Sequence, residues 1–272
     1  MIPIYIEPNI ATIGPFILSW HGLFSAIGVL FGVTIGVRMA AARGVDEDAT
    51  YSLALWSVVG GIVGARLFHV VDAWSYYSQN PLQIVMITEG GIAIYGAVIG
   101  GVLTGTIYAM VKRMPVGHLA DAGAVGLILG QAIGRIGDVI NGEHHGLPST
   151  APWSVTYLHP NTLGELGVSV HLTIGYELVW NLIVFALLVA AFDRVRRSGM
   201  LFWTYFLLYA IGRFVTGFYR VDTDVAFGLG QAQIVGFVTA LLAAAVLIWL
   251  YWRDRHSQAS RRRAGRTVTR SR

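Results

Sequence analysis

The sequence contains no cysteine and a single lysine, Lys112, and only 12% of its 272 residues are charged. Without a thiol the chain cannot build a disulfide framework, a thiolate metal site or a cysteine nucleophile of its own. An ordinary soluble domain carries about 25% charged residues, so the deficit of charge argues against a water-soluble enzyme. Disorder is excluded from the other side, because 55% of the residues are apolar and 12% aromatic, which is ample surface to bury. With one lysine among nineteen cations, eighteen are arginines, and eight of those fall in residues 253–272.

Long apolar runs take the place of charge. About 18 or more apolar residues are needed to cross a hydrocarbon layer roughly 30 Å thick, and seven runs approach or exceed that length: 16–37, 51–71, 92–111, 119–140, 176–192, 200–218 and 231–252. None alternates as a strand would, and a backbone in lipid must satisfy its own hydrogen bonds. The expected fold is therefore all-α: one polytopic integral membrane domain of seven transmembrane helices over residues 1–252. Short loops on the inner side of a membrane collect cations. Here Arg38 and Arg43 follow the first run, Lys112 and Arg113 the third, Arg194, Arg196 and Arg197 the fifth, and eight arginines the seventh. Residues 1–37, 72–90 and 136–193 contain neither Lys nor Arg. The N-terminus is thus expected outside and the C-terminus inside, with residues 253–272 forming a disordered basic tail against anionic lipid headgroups. A nucleic-acid-binding arm would have the same composition, but a chain of this topology ends in positive charge anyway, and no nucleic-acid partner is expected. Because its positive charges follow the first run and no basic segment precedes it, that run reads as a span and not as a cleaved leader.

Glycine is in excess, with 33 residues against about 7% in an average protein. Gly28, Gly32 and Gly36, Gly60 and Gly64, Gly96 and Gly100, and Gly126, Gly130 and Gly134 recur at four-residue spacing, the stripe of small residues along which membrane helices approach closely.

Removing the fifteen loop and tail cations from the nineteen leaves four arginines: Arg66, Arg135, Arg213 and Arg220. By the orientation above, all four belong to the outer half of the membrane. Arginine at a helix centre costs about 2.5–3.5 kcal/mol even on the mildest insertion scale, so such residues normally face a polar cavity. Helical spacing gives them company: Gln131, Arg135 and Asp138 share a face, Asn141 and Glu143 follow, His69 lies one turn past Arg66, and Tyr209, Arg213, Thr216 and Arg220 form a stripe. Guanidinium forks from several helices at one level suit a phosphodiester or carboxylate, and a phospholipid headgroup is the natural anion there.

The segment Gly134-Arg135-Ile136-Gly137-Asp138-Val139-Ile140-Asn141-Gly142-Glu143-His144-His145-Gly146 resembles the signature of the prolipoprotein diacylglyceryl transferases, bacterial inner-membrane enzymes that move a diacylglyceryl group from phosphatidylglycerol to a lipobox cysteine. Ser19-Trp20-His21-Gly22-Leu23, Gly64-Ala65-Arg66, Gly90-Gly91-Ile92-Ala93-Ile94-Tyr95-Gly96, Tyr176-Glu177-Leu178, Gly212-Arg213-Phe214 and Phe218-Tyr219-Arg220 resemble further family segments in the same order. The resemblance covers nearly all of residues 1–252. It implies that Arg135 and Arg213 are the essential arginines, binding phosphatidylglycerol with Arg66, Arg220, Tyr209, Asn141, Asp138 and Gly146. A free thiol has a pKa near 8.5 and needs a base or a cationic neighbour to become nucleophilic, for which His21, Glu143 and Tyr95, in that order, are the candidates. His21, Tyr95, Asp138 and Gly217 stand where the family commonly has Tyr, His, Asn and Glu. The implied partners are phosphatidylglycerol and prolipoprotein signal peptides. No cofactor and no metal are expected: the adjacent His144 and His145 lack the helical i, i+4 spacing of a zinc protease, and residues 141–173, broken by Pro148, Pro152 and Pro160, read as a periplasmic cap with Trp153 and Tyr157 at the interface. A divergent relative with another acceptor, or a transporter of an anion, is the alternative; a transporter usually shows two related halves, and none is visible.

Overall fold

The computed structural model describes residues 1–14, 16–86, 90–91, 93–144, 146–195 and 197–269. Of the residues named above, Ile92, His145, Arg196, Arg270 and Arg272 lie outside that set. Among the described residues seven helices are long and apolar enough to cross a membrane: α1 (Trp20–Ala41), α2 (Glu47–Asp72), α4 (Ile94–Val111), α5 (Val116–Asn141), α6 (Thr173–Phe192), α7 (Met200–Gly217) and α8 (Gln231–Thr269), with a one-turn helix, α3 (Trp74–Tyr77), after α2. Each contains one of the seven apolar runs to within a few residues. Polar caps extend them: the Asp46 carboxylate accepts from the Ala49 amide at 2.8 Å and starts α2 ahead of its apolar stretch, and Gly142, with φ of 75°, ends α5 in the left-handed region.

The glycine stripes set the two closest crossings. α1 lies along α5 and α2 along α4. A Cβ on Gly32 would run into the Gly126 carbonyl oxygen, and one on Gly64 into that of Gly96, so these backbones touch because no side chain stands between them. Gly134, grouped with the same stripe by spacing, has open space at its Cβ position and takes no part in the crossing. α5 is the hub, packing also on α6 and α7, while α7 carries α8. The apolar core occupies one half of the bundle: Val125 and Ile128 of α5, Val184, Leu188 and Phe192 of α6, and Leu201 and Tyr205 of α7.

The fold departs from an all-helical chain at the other end. β1 (Ile2–Ile4) pairs in parallel with β4 (Val155–Tyr157), which pairs antiparallel with β5 (Ser169–Val170); β2 (Asn9–Ile13) with β3 (Phe16–Ser19), and β6 (Asp224–Ala226) with β7 (Leu229–Gly230), form hairpins. All lie where α1, α6 and α8 begin and α5 and α7 end. The prolines of residues 141–173 therefore bound short strands instead of abolishing them, and Val155, Tyr157 and Val170 form a small core beneath the cap. Tyr157 is accordingly buried, its hydroxyl donating to the Val139 carbonyl at 2.9 Å, and is not an interfacial residue; Trp153 is exposed and donates to the Tyr176 hydroxyl at 2.9 Å. The helix α8 runs on past its apolar stretch as far as Thr269.

At the arginine-rich end, Arg43 is more than a loop cation. It donates to the Asp121 carboxylate and to the Phe192 and Val195 carbonyls, each within 3.0 Å, and stacks over the Phe192 ring; Asp121, fully buried, also accepts from the Gly199 and Phe202 amides. One ion pair thereby ties the α1–α2 connection to α5 and to the α6–α7 turn. Removing one partner of a buried pair leaves the other uncompensated. Arg43→Ala is expected to lower unfolding free energy in detergent micelles by about 3 kcal/mol, read as a fall in thermal midpoint, whereas Arg38→Ala, at an exposed position in the last turn of α1, should shift it little.

Candidate active site

Polar residues that are costly in an apolar bundle collect where the strands lie. Glu177, in the first turns of α6, is at its centre. One oxygen pairs with Arg213 of α7, accepts from the Thr216 hydroxyl at 3.3 Å and lies 3.6 Å from Arg220; the other lies 2.7 Å from Arg135 of α5. Three guanidinium groups thus converge on one carboxylate whose side chain is 5% exposed. Arg135 reaches Asp138 at 2.7 Å with its other nitrogen, and Arg220 lies 3.3 Å from Asp222. Nε and Nη1 of Arg220 are buried and face Asp222 and Glu177 at ion-pair distance, without the geometry of a full hydrogen bond, so this cation is held mainly by charge.

A second group abuts the first. His21, in the first turn of α1, has Nδ1 2.5 Å from one Asp138 oxygen and 3.4 Å from Glu143, and Glu143 accepts from the Asn141 amide at 3.3 Å. Asp138 therefore stands between His21 and Arg135. The donor atoms of His21, Asp138 and Glu143 lie within 4.8 Å of one another, a spacing that three ligands of a cation would also have. A hydrogen bond joins His21 to one Asp138 oxygen, and the Arg135 guanidinium holds the other.

The sequence-derived site is brought together in large part. Arg135, Arg213, Arg220, Asp138, His21, Glu143 and Asn141 form one connected network, and the Tyr209 phenol lies within electrostatic reach of Arg135. Gly146 serves it through backbone: it bridges to Arg220, and a Cβ there would strike the His171 carbonyl. Two residues are not part of it. All five N–H groups of Arg66 are spent on the carbonyls of Gln83, Ile84, Met86, Gly90 and Gly91, leaving none for a lipid phosphate; Arg66 braces the connection between α3 and α4. Tyr95, at the start of α4, packs against Phe68, with ring centroids 6.5 Å apart. Glu177 is not among the sequence-predicted site residues, although it is the single charged residue of α6 and the logic for membrane arginines holds equally for an acid. His144 enters the sequence reading only through the signature segment and as a metal ligand with unsuitable spacing. Its backbone sits at φ of 56°, unusual for a side-chain-bearing residue, and its Nδ1 accepts from Arg220 at 3.1 Å, which makes it a neutral imidazole protonated on Nε2.

The class of protein that this fold and site define is a helical membrane protein with an anion-directed guanidinium centre at one end of its bundle. The model of the prolipoprotein diacylglyceryl transferase family matches residues 8–249. The chain is 40% identical over 258 residues to the phosphatidylglycerol–prolipoprotein diacylglyceryl transferase of Trichormus variabilis, covering 91% of each chain. It is 38% identical over 259 residues to that of Symbiobacterium thermophilum, covering 93% and 96%, and 36% identical over 262 residues to that of Dehalococcoides mccartyi, covering 96% and 99%. The chain belongs to the prolipoprotein diacylglyceryl transferase family, and is a multi-pass bacterial membrane protein.

Partial desolvation of the His144 ring, with the charges of Arg220 and Arg135, pushes its pKa down to about 4 from an ordinary 6.5, whereas burial raises that of Glu143. Below about 6.5 the unfolded imidazole takes up a proton that the folded one refuses until about 4, so protonation favours unfolding and the contribution of His144 is complete above that window and lost across it. Glu143 has the opposite sign, its folded carboxyl holding a proton more readily than the unfolded one. Since His144 keeps an exposed edge, the effect is softened by solvent. His144→Asn, a residue that tolerates positive φ, should flatten the fall in thermal midpoint between pH 6.5 and 4; an unchanged slope would remove His144 from the acid response.

Proposed function

We propose that the chain transfers the diacylglyceryl group of phosphatidylglycerol to the lipobox cysteine of a prolipoprotein signal peptide, with the strand end and N-terminus outside and the arginine-rich end and C-terminus inside. The single observation that carries the chemistry is the convergence of Arg135, Arg213 and Arg220 on Glu177, and the names of the relatives supply the two substrates. The substrate sulfur attacks the glyceryl carbon that bears the phosphodiester, a C–S bond forms as the C–O bond breaks, and the electron pair leaves on the phosphate oxygen of glycerol phosphate. Negative charge thus grows on the leaving phosphate. Donors fixed in advance around it stabilise the transition state without reorganising at the moment of reaction. Glu177 keeps three mutually repelling cations at one place until the phosphodiester supplies the opposing charge. Side chains of Arg135 and Arg213 are 17% and 18% exposed, which leaves both approachable. The absence of cysteine fits direct transfer, since no enzyme-bound thioether is needed.

The test uses proteoliposomes containing phosphatidylglycerol labelled in its diacylglyceryl part and a lipobox peptide. Arg135→Ala and Arg213→Lys are each expected to lower the rate of label transfer by about 10²–10³-fold, the effect of removing one such donor; undiminished transfer, or lipid flux with no labelled peptide, would overturn the reading. Orientation is tested separately by the chain's lack of cysteine. In intact cells stripped of their outer membrane, a single cysteine replacing the exposed Leu163 should react with a membrane-impermeant maleimide, and one replacing Arg38 should not.

A further inference from the structure

We propose that His21 and Asp138 are the acid–base pair that removes the proton from the attacking thiol, with Nε2 of His21 as the proton acceptor and Asp138 as its orienting partner. The proposal rests on the transferase reading above. Three features of the chain place that ring. Ser19 caps α1, its hydroxyl accepting from the Gly22 amide at 3.1 Å. The preceding segment pins the first turn through the Trp20 amide to the Pro8 carbonyl and the Trp20 indole to the Glu7 carbonyl, both at 3.1 Å. Gly137 lets α5 pass against it, since a Cβ there would meet the His21 Cα at 2.7 Å. With the helix start fixed and α5 in contact, Nδ1 meets Asp138 at 2.5 Å.

The arrangement selects a tautomer. Both groups facing Nδ1, Asp138 and the more distant Glu143, are carboxylates, so Nδ1 carries the hydrogen and the lone pair is on Nε2. Among the described residues nothing hydrogen-bonds Nε2, and the His21 side chain is 46% exposed. A carboxylate on the far nitrogen holds an imidazole in the orientation for proton abstraction and stabilises the imidazolium that results. Arg135, the cation nearest the pair, fixes the second Asp138 oxygen at 2.7 Å and also lies 2.7 Å from Glu177, so one guanidinium connects the base to the centre that receives the leaving phosphate. The other candidates are placed less well: Glu143 lies on the Nδ1 side of the same ring, 3.4 Å from it, and accepts from the Asn141 amide, and Tyr95 is paired with Phe68. In the balanced step the S–H proton passes to Nε2, sulfur takes the glyceryl carbon, and the phosphate oxygen that leaves with the C–O electron pair receives the proton back.

The reconstituted full chain is assayed with two lipobox peptides, one carrying cysteine and one carrying selenocysteine, whose selenol is ionised at neutral pH and needs no base. His21→Gln is expected to slow transfer to the thiol by about 10²-fold or more, the usual contribution of a general base, and transfer to the selenol by less than about tenfold. Equal losses with both peptides, or no loss with either, overturn the proposal. Where His21→Gln does not fold, judged by its thermal midpoint, Asp138→Asn with the same peptides decides by the same comparison. Failure of the unmutated chain to modify either peptide would instead overturn the transferase reading.

Discussion

One carboxylate shared by three guanidinium groups is the constraint on which the strand end of this molecule depends. Arg135, Arg213 and Arg220 come from α5, α7 and the segment after α7, and without Glu177 their mutual repulsion would drive them apart in a medium that screens charge poorly. Such an arrangement is weak as a source of stability, because taking ions out of water costs about as much as their attraction returns. Its value is positional. Glu177 holds the cations at one level of the bundle, three positive charges against one carboxylate, an excess of positive charge that suits the uptake of an anion as proposed above.

The bundle divides this work by depth. In the half toward the arginine-rich end, α5, α6 and α7 meet through Val125, Ile128, Leu188 and Leu201, all under 2% exposed, and the Arg43–Asp121 pair locks the connections there. In the other half the same three helices contribute Arg135, Glu177 and Arg213. A rigid apolar half lets the charged half be held by helix positions and not by loops, and the small strands cover it. Gly146 is the joint between the two, since only a residue without a side chain lets the cap backbone reach both Arg220 and His171.

What was legible in the sequence follows from how far each signal acts. Seven spans were legible because length and apolarity are properties of contiguous residues, and the Gly32–Gly126 and Gly64–Gly96 contacts were foreshadowed by spacing within each helix. The strands at 155–157 and 169–170 were not, because two or three residues between prolines carry no periodicity. Arginines in apolar runs announced most of the site. Arg66 carries the same signal as Arg135, and nothing local distinguishes a guanidinium that grips five backbone carbonyls from one that grips a carboxylate; the difference lies in Gln83, Ile84, Met86, Gly90 and Gly91, whose carbonyls surround it. Glu177 carries an equivalent signal of opposite sign, which a count of membrane cations does not include.

His21 and Asp138 are not independent of each other. They are hydrogen-bonded, and Gly217 sits where a side chain would collide with Gln233 of α8. An aspartate beside Arg135, taken alone, would simply neutralise a cation intended for phosphate. Bonded on its other oxygen to an imidazole, the same aspartate divides its charge between two donors, while the second nitrogen of Arg135 stays directed toward Glu177. Each of the two side chains is intelligible only with the other. A carboxylate that orients a histidine and a guanidinium at once couples proton removal at one end of the network to charge build-up at the other, which is the coupling that a displacement by a neutral thiol requires.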